Sequence, residues 1–283
     1  NIDGYLPGRR VVILGSGDIG LIMARRLTLE GAKVLACVEI NEYSSGLNRN
    51  IVQCLQDYGI PLMLSHTVTD IRGDRRVEQV VVSQVDKNKA PIPGTQTVFD
   101  CDTLLLSVGL IPENELSRDV GIHLDPRTKG AFVFENMETS MPGVFACGNV
   151  LHVHDLVDFV TQEAQRAAES AADYVRNGQP AHTHVIDVET AGGVTYTVPQ
   201  HICPDDVSGD TKVFFRVGRV FGKSEILVKS GGKVLKSFKK QFMVPGEMQN
   251  ITLPENLLKE AENGLCIEAA DLSAEGQPAR AKA

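Results

Sequence analysis

Residues 11–20 read Val11-Val12-Ile13-Leu14-Gly15-Ser16-Gly17-Asp18-Ile19-Gly20. Four apolar residues, typical of a buried strand, run directly into the pattern Gly-x-Gly-x-x-Gly, and the apolar spacing that follows predicts a helix. After a break at Gly31, a second apolar run over residues 34–38 ends at Glu39. Strand, glycine turn, helix, strand and acid fit within the ~30 residues of a dinucleotide-binding βαβ unit.

The glycines of this turn are expected to have separate roles. Gly15 makes the tight turn, Gly17 lets the backbone approach a pyrophosphate, and Gly20 lets helix and strand pack closely. The helix directs its free N–H groups at the phosphates, and Glu39 can accept hydrogen bonds from a ribose diol. A purely structural turn stays open as the alternative, because glycine turns are common. The expected NAD contacts are Gly15, Gly17, Asp18, Ile19, Gly20 and Glu39.

Glu39 also favours NADH over NADPH. A carboxylate at this position repels a 2′-phosphate, and residues 40–48 contain no Arg or Lys to receive one.

Composition limits the remaining classes of function. At 283 residues the chain is expected to hold about two domains. Its net charge of −8 argues against binding to nucleic acid or to an anionic membrane surface. No stretch approaches the ~20 apolar residues of a membrane span, and residues 1–8 do not resemble a signal peptide. Six scattered cysteines without a C-x-x-C pair indicate reduced thiols and a cytoplasmic protein.

The segment after Glu39 predicts an interrupted parallel fold. A helical pattern over residues 47–58 and a short strand at 61–64 come first. Three alternating runs then predict an antiparallel meander, and an apolar run over 101–109 predicts the return to a central strand. The runs of the meander are residues 68–71, 77–84 and 97–99.

The last third of the chain predicts a small antiparallel β-sandwich over residues 181–272. Glycine pairs at 191–193 and 230–232 are expected to form hairpin turns between flanking strands. Packing or subunit contact is one role for this domain, and presenting a partner or substrate is the other. The tail, 273–283, is rich in Ala, Gly and Pro and is expected to fray. The predicted strands are 185–189, 194–198, 212–217, 224–229, 233–238, 248–253 and 265–268.

Three ordered motifs resemble those of the FAD- and NAD(P)-dependent pyridine nucleotide-disulfide oxidoreductases, a family of flavoprotein reductases. The first is the glycine turn with Glu39. The second, SVGLIPEN at 107–114, is similar to the family's crossing between nucleotide domains and adds Gly109 to the expected cofactor site. The third, TSMPGVFACGN at 139–149, is similar to the family's T-x-x-P-G-V-F-A-x-G-D. The resemblance covers residues 8–180 and implies an α/β, Rossmann-like three-layer fold.

In that family the third motif belongs to the FAD domain. The resemblance therefore implies that residues 1–109 bind NAD and that 110–180 form the C-terminal segment of an FAD domain. Gly148 and Asn149 would lie at the flavin ribityl and pyrophosphate, with Asn149 in place of the family's Asp. The next helix would direct its N-terminus, near Val160, Thr161 and Gln162, at the flavin.

Three departures from the family pattern qualify the resemblance. Ile22 stands where many members have a Glu that helps to place the nicotinamide. The redox-active disulfide is absent, and so is the N-terminal FAD half. Because the chain also starts without Met, a fragment of a longer flavoprotein is expected, or a site completed by a separate chain.

Two functions remain open at this stage. The first is an NADH-dependent flavoprotein oxidoreductase that passes hydride to FAD and on to an unknown acceptor. The alternative is a non-catalytic nucleotide-binding or scaffold subunit of a multi-subunit dehydrogenase. The catalytic residues are unknown, and an oligomer is possible in either case.

Two histidine pairs are candidate metal ligands, but no metal site is expected. His152 and His154 lie two apart, as do His182 and His184, but the sequence gives neither pair a supported third ligand. Cys147 is interpreted as a small core residue on a buried strand rather than as a reactive thiol.

Overall fold

The computed structural model describes residues 2–178, 180, 182–261 and 264–272. It divides into two compact units, residues 1–110 and 111–283. The expected boundary at 180 falls inside the second unit, and the expected tail, 273–283, lies outside the described residues.

The first unit contains a four-stranded parallel sheet with strand order β3-β2-β1-β7. Strand β1 lies in its centre and pairs in parallel with β2 and β7. This is the predicted strand–helix–strand unit with its return to a central strand. The elements are β1 (Arg10–Leu14), α1 (Asp18–Leu29), β2 (Lys33–Val38), α2 (Asn48–Cys54), β3 (Leu62–Met63), β4 (His66–Arg72), β5 (Gln79–Gln84), β6 (Thr97–Asp100) and β7 (Thr103–Leu106).

Strand β1 is apolar throughout because both faces of its sheet are covered. Val11 and Ile13 share a core with α1. Val12, which points to the other face, shares a core with Val80 and Val82 of β5. The antiparallel sheet β4-β5-β6 therefore forms the third layer, as the meander predicted.

The second unit begins with α3 (Glu115–Asp119) and an irregular segment of isolated bridges, and then contains the long helix α4 (Val157–Asn177). Val133 and Leu151 from the irregular segment and Ala167 from α4 share a core with Val198. The FAD-like segment and the sandwich are therefore packed together within this unit.

The β-sandwich has a five-stranded sheet, β10-β8-β15-β12-β13, and a three-stranded sheet, β14-β11-β9. One core of buried side chains draws on both sheets. Most pairings are antiparallel, but β8 and β15 pair in parallel. The elements are β8 (Ile186–Ala191), β9 (Val194–Val198), β10 (His201–Ile202), β11 (Thr211–Val217), β12 (Ser224–Ser230), β13 (Lys233–Lys240), β14 (Gln249–Leu253), α5 (Glu255–Lys259) and β15 (Leu265–Asp271).

One of the two predicted hairpins is a connection between sheets. The turn at 230–232 joins β12 to β13, which pair antiparallel as predicted. The turn at 191–193 instead joins β8 to β9, which belong to different sheets. A Cβ on Gly192 would lie 2.1 Å from the Ala269 carbonyl oxygen, so this turn passes against β15. Both turns contain a glycine pair, so the difference lies in the sheets to which the flanking strands belong.

Within the described part of the chain, no helix is both long and apolar enough to cross a membrane.

The sandwich core gives a first prediction. Phe215 is fully buried in it, whereas Phe242 is 59% exposed. We expect Phe215→Ala to lower the free energy of unfolding by about 3–5 kcal/mol, because it removes buried area and leaves a cavity. Phe242→Ala, the matched control, should cost less than about 1 kcal/mol. Urea denaturation followed by circular dichroism measures both, and equal losses would contradict this packing.

Candidate functional site

Two glycines of the first-unit turn are required by packing. Gly15 has φ of +101°, and a Cβ there would lie 1.9 Å from the Ser107 carbonyl oxygen. A Cβ on Gly20 would lie 2.6 Å from the Gly15 carbonyl oxygen. Since real Cβ atoms do not approach so closely, both positions accept only glycine without a backbone shift.

Gly17 differs from these two, because nothing in the first unit crowds it. Its φ is −65°, which any residue adopts, and the nearest atom to a Cβ there is Ser45 Oγ at 3.7 Å. Gly17 is also the N-cap of α1, and no side chain caps that helix end. The first N–H groups of α1 therefore have no intrahelical partner, and a helix end of this kind can bind a phosphate.

Asp18 and Ile19, the next two predicted residues, face different surroundings. Asp18 Oδ1 accepts hydrogen bonds from the Leu47 N–H at 2.8 Å and from Asn50 Nδ2 at 2.7 Å. Its carboxylate thus holds the start of α2 next to the 15–20 turn by two hydrogen bonds. Ile19 is 69% exposed, and Ile22, one turn along α1, is 46% exposed.

Glu39 is buried behind the turn, where all its acceptor positions are used. Oε2 accepts from the Ser16 N–H at 3.1 Å and from Ser16 Oγ at 2.5 Å. Oε1 accepts from the Asn41 N–H at 3.0 Å and from Asn41 Nδ2 at 2.8 Å. A carboxylate offers about four lone-pair sites. A ribose hydroxyl must therefore replace one of these partners, which the sequence did not indicate.

Gly109, from the second motif, lies in an exposed segment with φ of +100°. A Cβ there would meet nothing within 4 Å. Its backbone conformation favours glycine, but no packing contact within the first unit explains it.

The second unit places Gly148 and Asn149 in a tight turn whose polar groups are partly used. Gly148 has φ of +71° and donates its N–H to Glu163 Oε2 at 2.6 Å. Asn149 is exposed, and its Oδ1 accepts the His154 N–H at 3.1 Å. The Asn149 amide therefore offers mainly its donors to a ligand.

Glu163 is the centre of a buried network that sequence reasoning missed. His152 Nε2 lies 2.8 Å from Oε1 and His154 Nε2 lies 3.0 Å from Oε2. The side chains of all three are at most 2% exposed. Burial by itself raises the pKa of a carboxyl group, but the hydrogen bonds from the two histidines outweigh it and lower the pKa of Glu163 to about 2.

Both imidazoles of this network donate Nε2–H to the Glu163 carboxylate, which can only accept. Burial lowers the pKa of His152, which disfavours its charged form. The Nδ1 atoms of His152 and His154 are buried and have no hydrogen-bond partner among the described residues. The H-x-H spacing was visible in the sequence, but nothing local linked it to an acid nine residues further along.

The N-terminus of α4 lies three residues before Val160. The helix begins at Val157, and no side chain caps it, so its free N–H groups belong to residues before Val160. Thr161 Oγ1 donates to the Val157 carbonyl oxygen at 3.1 Å, and Gln162 Oε1 accepts from Lys212 Nζ at 2.6 Å. Val160 Cγ1 lies 3.4 Å from a Cβ built on Gly148, so the helix start and the glycine turn are adjacent.

A sequence comparison supports the same interpretation as these two glycine turns, each of which is followed by a helix without a side-chain cap. The profile of the pyridine nucleotide-disulphide oxidoreductase family matches residues 3–172. The chain belongs to this family. The resemblance predicted from the three motifs is thereby confirmed, and so is the Rossmann-like α/β fold.

Relatives within the family cover the same part of the chain. The NADH oxidase of Methanocaldococcus jannaschii is 30% identical over 190 residues, which are 64% of this chain and 38% of that protein. The NADH oxidase of Streptococcus pyogenes is 28% identical over 153 residues, 52% of this chain and 30% of that protein. The crystal structure of Thermoplasma acidophilum thioredoxin reductase matches with 29% identity and a TM-score of 0.53, covering 62% of this chain and 56% of that one. The chain thus spans well under half the length of these two curated relatives.

The Glu163 network gives a second prediction. Glu163→Ala leaves the Gly148 N–H and two imidazole N–H groups buried without an acceptor. We expect it to lower the free energy of unfolding by about 3 kcal/mol, since each buried donor that is left without an acceptor costs about 1–3 kcal/mol. Glu169→Ala, at an exposed position of the same helix, is the matched control and should change stability by less than about 0.5 kcal/mol. Equal stabilities of the two variants would contradict the network.

The same variant has a defined pH dependence. Folding lowers the pKa of Glu163 from an ordinary value near 4.3 to about 2, so its contribution is complete above pH ~4.3 and is lost as the pH falls toward 2. The lowered pKa of His152 reduces the stability of the parent protein and of the variant alike below pH ~6.5, because its main cause is burial, which both proteins share. The stability gap between the parent protein and Glu163→Ala should therefore narrow as the pH is lowered, measured by thermal unfolding from pH 7 to 3.

Proposed function

We propose that this chain is the nicotinamide-nucleotide-binding part of a flavoprotein oxidoreductase that transfers hydride from NADH to FAD. The observation that carries the proposal is the turn at Gly17. It combines open space, an uncapped helix end and a buried acid at the end of the neighbouring strand. Family membership and the similarity to NADH oxidases support the same function.

The first unit is suited to hold the nucleotide with its own backbone. The free N–H groups of α1 bind the pyrophosphate, and Gly17 lets it approach without a steric clash. Gly15 and Gly20 keep the strand, the helix and Ser107 in close contact, which fixes the direction of those N–H groups. Glu39 accepts the ribose hydroxyls in exchange for Ser16 Oγ or the Asn41 amide.

Discrimination between the two nicotinamide nucleotides is also assigned to Glu39. Its carboxylate lies where a 2′-phosphate would approach and repels that charge. The first basic residue after Glu39 is Arg49, in the first turn of α2, where it is exposed. NADH is therefore the proposed donor. A preference for NADPH would need a basic residue to bind the 2′-phosphate, and Arg49 is the first such residue after Glu39.

The second unit offers part of an FAD site. The free N–H groups at the start of α4 favour negative charge on a reduced flavin, and the Asn149 amide supplies donors. When bound, NADH supplies a hydride and FAD accepts it. The rest of the flavin site would come from the N-terminal FAD half, in the same longer chain or in a separate subunit, and the electron acceptor is a further partner.

We expect Gly17→Ala to weaken NADH binding without destabilising the fold. The new methyl group meets no protein atom closer than 3.7 Å, so we expect stability to change by less than about 1 kcal/mol. The same methyl group occupies the pyrophosphate path, and NADH affinity should fall at least about tenfold. Titration of NADH fluorescence measures the Kd. Gly15→Ala, where a Cβ would overlap Ser107, is the contrasting variant and should destabilise the fold itself.

Nucleotide choice and flavin reduction give the direct test. NADH should raise the Tm of the chain more than NADPH does, and Arg49→Gln should leave the effect of NADH unchanged. Where FAD is bound, NADH should bleach its absorbance. A chain that binds NADH but never takes up FAD, even with the N-terminal half supplied, would favour the non-catalytic subunit. No response to either nucleotide would overturn the proposal.

A further inference from the structure

A second histidine cluster, which shares no residue with the Glu163 network, lies in the second unit. Strand β10 ends at Ile202, and Cys203 starts a turn that is closed by the Asp206 N–H donating to the Cys203 carbonyl oxygen at 2.9 Å. His182 Nδ1 lies 3.0 Å from Cys203 Sγ and 3.4 Å from Asp206 Oδ2. All three potential ligand atoms lie within 4.8 Å of one another.

The imidazole of His182 is held so that Nδ1 faces the other two groups. His182 Nε2 lies 3.1 Å from Glu138 Oε2. The other oxygen of Glu138 accepts the Gly143 N–H at 2.8 Å, so the carboxylate is itself fixed. Phe134 stacks on the ring with centroids 4.4 Å apart and planes 9° apart. Because a carboxylate accepts from Nε2–H, the Nδ1 lone pair is directed at the thiol and at Asp206.

We propose that His182, Cys203 and Asp206 bind a zinc ion, with Glu138 as the residue that positions His182. Thiolate, imidazole and carboxylate are the ligands that Zn²⁺ takes in proteins, and a water completes its tetrahedral shell. A metal-bound histidine commonly donates its other ring N–H to a carboxylate, which is the arrangement of His182 and Glu138.

The two separations from His182 Nδ1 fit a tetrahedral ion after a small adjustment. With Zn–N of about 2.0 Å and Zn–S of about 2.3 Å, tetrahedral ligands place N and S about 3.5 Å apart, and N and O about 3.3 Å apart. The Nδ1–Oδ2 separation of 3.4 Å already matches, and the Nδ1–Sγ separation of 3.0 Å needs to widen by about half an ångström.

An ion can also reach this cluster. The side chains of His182 and Asp206 are 14% and 26% exposed, and His182 and Glu138 line a cavity of about 660 Å³. The Glu163 network has the same kinds of residue but lacks such access, because its side chains are at most 2% exposed and its acid already occupies both Nε2 positions.

The competing interpretation is a reactive thiol activated by His182. Cys203 is fully buried, so a substrate or oxidant has no open approach to its sulfur. A metal ion bound by the partly exposed His182 and Asp206 lies within reach of that sulfur.

Cobalt binding by the full chain tests the proposal. Protein stripped with a chelator and titrated with Co²⁺ should develop a thiolate-to-cobalt charge-transfer band in the near ultraviolet, and one equivalent of Zn²⁺ should abolish it. Cys203→Ser should lose the band, and a Cys147→Ser/Cys266→Ser double variant should keep it. Those two cysteines are the partly exposed ones, so the double variant controls for adventitious binding.

Two further variants keep the test decisive if Cys203→Ser folds poorly. Asp206→Asn and Glu138→Gln should each raise the Kd for Zn²⁺ at least about tenfold, with circular dichroism in chelator unchanged. Zn²⁺ should also raise the Tm of the parent protein and leave that of Cys203→Ser unchanged. Absence of the cobalt band in the parent protein, its persistence in Cys203→Ser, or an unchanged Kd in Asp206→Asn would each overturn the proposal.

Discussion

The backbone of Ser107 passes so close to Gly15, and the Gly15 carbonyl and the Ser107 side chain lie so close to Gly20, that neither position has room for a side chain. This close approach joins the end of β1, the start of α1 and the segment after β7. It fixes where the free N–H groups of α1 point, and it leaves Gly17 as the open position of the turn. The geometry proposed to hold a nucleotide therefore depends on a steric constraint two residues away from the binding position itself.

Each of the two units has a buried carboxylate beside its glycine turn. In each, a buried carboxylate from elsewhere in the chain accepts a backbone N–H of the turn: Glu39 from Ser16, and Glu163 from Gly148. Glu39 accepts four hydrogen bonds and Glu163 accepts three, so both buried carboxylates are well supplied with donors. A carboxylate in this position holds the turn in shape, and Glu39 is in addition proposed to exchange partners when a ribose arrives.

The histidines of the second unit fall into two chemically different clusters. His152 and His154 surround their acid and are closed to solvent. His182 has its acid on one ring nitrogen and leaves the other directed at a thiol and a second acid. In both clusters a carboxylate lies at Nε2 of the histidine, and the difference is what faces Nδ1. At His182 it is a thiol and Asp206, whereas at His152 and His154 it is no hydrogen-bond partner among the described residues.

The sequence by itself determined the Rossmann-like unit, the meander, the family and most sandwich strands. Local signals carry these features: apolar runs, period-two alternation and glycine turns need no distant partner. The tertiary structure alone decided that the turn at 191–193 connects two sheets, that Glu39 is fully occupied, and that Glu163 meets His152 and His154. It also brought Cys203 and Asp206 to His182, whereas the sequence left His182 only His184 as a neighbour. These contacts depend on how the chain folds back on itself, and hydrophobic periodicity contains no information about such pairs.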